Sequence, residues 1–76
     1  MADKDTHDEL VGSIQSPGWT LKGDLAVSGT LEDVLKAAHE RQAAGQPPGL
    51  IERVETAIEL DMMQIEMLWR YLGLPV

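Results

Sequence analysis

The sequence predicts a mainly α protein: an antiparallel helical hairpin, about 30–44 and 49–72, with a flexible N-terminal tail, assembled as a dimeric helical bundle. Three observations carry that expectation. An apolar heptad runs through 50–72, a shorter apolar stripe runs through 31–38, and Gln46-Pro47-Pro48-Gly49 separates the two.

Taken in order, the chain opens on a charged and polar run, Met1 to Glu9, that reads as a tail. Leu10-Val11-Gly12-Ser13-Ile14 is a short apolar patch without a clear period, which fits a single helical turn or a docking strand, and Ser16-Pro17-Gly18 is a turn signal; residues 1–18 are assigned to the tail and 19–76 to one small domain. Trp19 to Ser28 alternates in two pieces around Gly23-Asp24, which fits either a short β-hairpin or an irregular arm over about 19–28. A hairpin with the loop Lys22-Gly23-Asp24 would pair Leu21 with Leu25 and Trp19 with Val27, keeping all four on one face.

Thr30 is a good N-cap, with Asp33 three residues on, and Leu31, Val34, Leu35 and Ala38 form the stripe of the first helix. Glu32 and Lys36 make an i, i+4 pair, and Gly45 closes the helix as its C′ residue. Pro47 and Pro48 cannot continue that helix, and Pro48 or Gly49 can begin the next.

In the second helix Ile51, Val54, Ile58, Ile65, Leu68 and Leu72 fall at a and d of a heptad, and Glu52, Glu59 and Glu66 form an acidic ridge at b. Leu60, Met63 and Met67 make a second apolar stripe on the far side. Either the N-terminal part of the chain or a partner covers it. Asp61 interrupts the seam at d. It is solvated by a local rotation, paired with Lys36, Arg41 or a partner's Arg, or set at an interface. Gly73 ends this helix, and Leu74 can fold back on the last turn. At about 22 Å against about 34 Å, the first helix covers the second only to Ile65, leaving Leu68, Trp69 and Leu72 overhanging.

Bulk properties narrow the function. Seventy-six residues make at most one domain, and a chain of this length buries about 60% of its unfolded surface, so association is a natural source of stability. There is no Cys to form a disulfide, and the chain has no Phe. Lack of Cys accords with a cytoplasmic setting. The net charge of −7 disfavours nucleic acid and anionic membranes and favours a basic partner. The N-terminus has no apolar core of a secretory signal, and no stretch is apolar enough to span a bilayer.

No catalytic residue, cofactor motif or metal-ligand set stands out: His39 and His7 are far apart, no base is spaced beside a hydroxyl, and there is no glycine-rich phosphate loop. The sequence thus points to a non-enzymatic interaction module, an adaptor, regulator, docking element or accessory subunit. It would form a homodimer, bind a larger protein, or both, through Leu60, Asp61, Met63, Met67, Leu68, Trp69 and Tyr71. The alternative rests on Leu25-Ala26-Val27 followed by two helices, an order that resembles the ribbon–helix–helix repressors and implies a DNA-binding or antitoxin dimer.

Overall fold

The computed structural model describes residues 9–23 and 26–75. Residues 1–8 of the expected tail, His7 included, lie outside the described residues, as do Asp24 and Leu25 of the expected hairpin and Val76. In chain order the elements are a helical turn, α1 (9–12), then β1 (Trp19–Lys22), β2 (Val27–Gly29), α2 (Leu31–Ala43), β3 (Leu50–Arg53), β4 (Ile58–Leu60) and α3 (Met62–Tyr71).

The molecule is not mainly α. The strands form one antiparallel sheet in the order β2-β1-β3-β4, with α2 packed on β1 and β2 and α3 packed against α2. Residues 50–60, expected as the first half of a long helix, are a β-hairpin, and the expected two-helix bundle falls with that helix. The physical reason lies in two periods that the same residues satisfy. Ile51, Val54 and Ile58 fit a heptad, but Ile51/Arg53 and Ile58/Leu60 also alternate, and Ile and Val favour a pleated surface. Gly49 tips the balance toward the sheet. It sits at φ 92°, and a Cβ there would stand 2.5 Å from the Lys22 carbonyl oxygen. Only glycine lets the connector pass that close to the end of β1, and so deliver Leu50 alongside Lys22.

Pairing registers set the core. Val27, Leu21, Ile51 and Leu60 lie in one row straight across the four strands, and Gly29, Trp19, Arg53 and Ile58 form the next. Both rows face the helices. The intervening row, Ser28, Thr20, Glu52 and Glu59, belongs to the opposite face and is polar. In the first hairpin Leu21 pairs with Val27 and Trp19 with Gly29, two residues beyond the expected register. A shift of two preserves which face each side chain takes, so Trp19, Leu21 and Val27 still share the core side.

α2 follows its sequence signals closely. The Thr30 hydroxyl accepts from the Asp33 amide at 3.2 Å and the Asp33 carboxylate accepts from the Thr30 amide at 3.4 Å, a reciprocal capping box. At the other end Gly45 and Gln46 donate to the Gln42 and Arg41 carbonyls, a Schellman closure with Gly45 at φ 82°. Lys36 bonds Glu32 at 2.9 Å. The Glu32 carboxyl is held below its ordinary range by that hydrogen bond, then by one from Gln15 and by the Lys36 charge.

Leu10 and Ile14, assigned to the tail from sequence, are buried in the core. The Ile14 carbonyl accepts from the Glu32 amide at 2.9 Å, filling one of the donors left open at the start of α2.

Candidate interaction surface

α3 is anchored by Ile65, Leu68 and Trp69, spaced i, i+3, i+4 and all buried. The Trp69 indole N–H donates to the Leu35 carbonyl at 2.9 Å, and the His39 ring meets the indole edge-on at 5.1 Å. No overhang remains for Leu68 and Trp69 to hang from. α3 has only ten residues, and α2 packs directly against it.

The residues expected to meet a partner therefore divide into two sets. Leu60, Leu68 and Trp69 belong to the chain's own core. Leu60 closes the cross-strand row at β4, beside Ile51. Asp61, Met63, Met67 and Tyr71 remain toward solvent, with Met67 half-buried against the core margin. Met63, Met67 and Tyr71 follow one another at i, i+4, i+8 on the side of α3 away from its anchors, and Met63 is 80% and Tyr71 61% exposed. Exposed Arg70 and half-buried Glu66 lie on the same side.

Asp61 takes none of the three expected roles beyond being solvated. It is the N-cap of α3, accepting from the Gln64 amide at 2.8 Å while Gln64 Oε1 accepts from the Asp61 amide at 3.0 Å. Its carboxylate sits where open helix N–H groups favour negative charge. The signal was in the sequence, as Asp followed three residues later by Gln, but the heptad reading placed it mid-helix.

A second set of exposed apolar residues escaped the sequence reading: Val54 at 65%, Ile58 at 41% and Met62 at 40%. They run through the β3–β4 turn, the outermost strand and the start of α3. The alternation Ile58-Glu59-Leu60 was the available sign that one of them lies on a sheet edge.

Charge around this edge is lopsided. Glu52 and Glu59 stand directly opposite each other on the polar face. Lys22 bonds Glu52 at 2.7 Å, and its ammonium is held above its ordinary range by that hydrogen bond, by the Glu52 charge and, more weakly, by Glu59. Among the described residues no cation lies within ion-pair distance of Glu59.

Elsewhere His39, Gln42, Ala43, Trp69 and Pro75 line a shallow depression of about 240 Å³. His39 Nε2 meets the Pro75 carbonyl oxygen at 2.6 Å and so donates to it, tying the C-terminal segment to α2. Leu74 folds back as expected, its amide donating to the Trp69 carbonyl at 2.8 Å. Among the described residues no three His, Asp or Glu side chains come together as a metal site, and no helix is long and apolar enough to cross a membrane.

Fold and surface together define a two-layer α/β domain with a mixed apolar and acidic flank. Compared with known protein families, curated proteins and solved structures, the chain matches none.

Proposed function

We propose that the protein is a non-enzymatic interaction module that docks on another protein through the outward side of α3. The carrying observation is the exposure of Met63 and Tyr71, two turns apart on a helix that is otherwise held firmly in place. Met side chains adapt to irregular partner surfaces, and Tyr supplies large contact area at low entropic cost. Neither is needed by the core, so both are free to serve a contact.

The ribbon–helix–helix alternative loses support. It rests on a strand followed directly by two helices, whereas β3 and β4 intervene between α2 and α3.

The test is site-specific photo-crosslinking in cells from position 63, with Glu40 on the exposed side of α2 as control. A discrete protein adduct from position 63, absent from position 40 and lost in Tyr71→Asp, is the expected result. Equal labelling from both positions would remove the reading. Tyr71→Asp should leave the melting temperature close to that of the wild type, because the side chain is exposed. Trp69→Asp, by contrast, is unusable as an interface probe, since it places a carboxylate in the core.

A further inference from the structure

We infer that the free edge of β4 accepts an extended segment of a partner protein in which Lys or Arg alternates with apolar residues. This rests on the reading of the chain as an interaction module, but it concerns a different surface from the α3 stripe.

Two deficits meet at this edge. The first is apolar. Ile58 takes the core-facing side of the sheet, in one row with Trp19 and Arg53, yet it is 41% exposed because, among the described residues, no strand lies beyond β4. Leu60, two residues on and on the same side, is 4% exposed. The core is thus covered at one end of β4 and open at the other. The second deficit is electrostatic. Glu59 projects from the polar face opposite Glu52, and like charges directly across a strand pair are destabilising. Lys22 reaches Glu52 from the β1 side, leaving Glu59 on the outside of the pair.

One occupant answers both. A fifth antiparallel strand places its residues alternately on the two faces. An apolar residue beside Ile58 would extend the core-facing row, and a Lys or Arg beside Glu59 would complete the polar row with a counter-charge. Strand addition of this kind draws affinity from main-chain hydrogen bonds and specificity from alternate side chains.

The same geometry discriminates against a second copy of this chain. Antiparallel pairing of β4 with itself over its full three residues sets Glu59 opposite Glu59. An acid at the centre of a three-residue edge strand guards against self-pairing while admitting a basic strand.

The experiment titrates the full chain with a blocked ten-residue peptide of alternating Lys and Val, and with a matched peptide of alternating Glu and Val. Heteronuclear spectra follow the amides of 58–60. The expected result is binding of the basic peptide alone, with slowed amide exchange in β4. Glu59→Lys should weaken it by at least about tenfold, and Glu40→Lys, the same charge change on α2, by no more than about twofold. Glu59→Lys also relieves the Glu52 repulsion, so it should melt no lower than the wild type. Equal weakening by the two variants would reduce the effect to net charge and overturn the proposal. So would binding of the acidic peptide, absence of protection in β4, or a dimer that forms through this edge. None of these outcomes bears on crosslinking from position 63, so the two surfaces stand or fall separately.

Discussion

Ala57 holds the last position of the β3–β4 turn at φ 53°, the left-handed region that a side chain with a Cβ enters at a cost of roughly 1–2 kcal/mol. Glycine pays no such penalty but loses more freedom on folding, roughly 0.5–1 kcal/mol. Ala57→Gly should therefore stabilise the protein by about 0.5–1 kcal/mol, read from the denaturant midpoint at unchanged m-value. A loss of stability would mean that the turn does not constrain this residue. The same alanine explains why the hairpin was hidden. A Gly or Asn there would have announced a turn, whereas Glu55-Thr56-Ala57 reads as helix interior. By contrast Thr30, Asp33, Gly45 and Gly73 are legible, because each cap is decided by residues within a few positions of itself. Gly49 is legible as a break. Its closeness to the Lys22 carbonyl depends on a segment 27 residues away, which no local pattern encodes.

At the scale of elements, the misreading of 50–60 and the correct reading of α2 have one cause. A heptad and an alternation can share apolar residues over ten positions, and only tertiary pairing chooses between them. α2 had no competing period and carried signals at both ends. α3 was legible in its buried side but not in its start, because Asp61 was counted into the seam rather than placed before it. Its role gives a sharp expectation. Asp61→Ala removes the cap and leaves helix N–H groups open, costing about 1 kcal/mol, which for a domain of this size lowers the melting temperature by roughly 4–8 °C. Asp61→Asn and Asp61→Ser should retain most of the stability, since both side chains cap. If Asn proved as damaging as Ala, the charge itself would have to be the working part, as in the buried pairing that the sequence suggested.

Taken as a whole, the chain covers by itself the apolar residues Leu68 and Trp69 that two helices alone would leave overhanging. Its accessible surface of 4886 Å² is near the ~4,600 Å² expected of a folded chain of 8.3 kDa. The expectation of surplus apolar surface at 68–72 assumed two helices alone. The sheet supplies the missing cover through Trp19, Leu21, Ile51 and Leu60, and the segment before it adds Leu10 and Ile14. Its apolar residues show no period, which leaves a single helical turn and a docking strand equally open in the sequence, and the core takes it as the turn. Removal of residues 1–15 tests how much the core relies on it. Burying Leu10 and Ile14 contributes roughly 1.5–3 kcal/mol each, about 3–6 kcal/mol together. A domain of this length has a total stability of roughly 4–11 kcal/mol, so the shortened chain should lose cooperative unfolding or melt far lower. The double variant Leu10→Ser/Ile14→Ser in the full chain should do the same, which separates the loss of packing from the loss of length. If both chains melted like the wild type, the domain would begin at β1, and Leu31 and Val34 would have to keep their burial without the turn that now covers the start of α2.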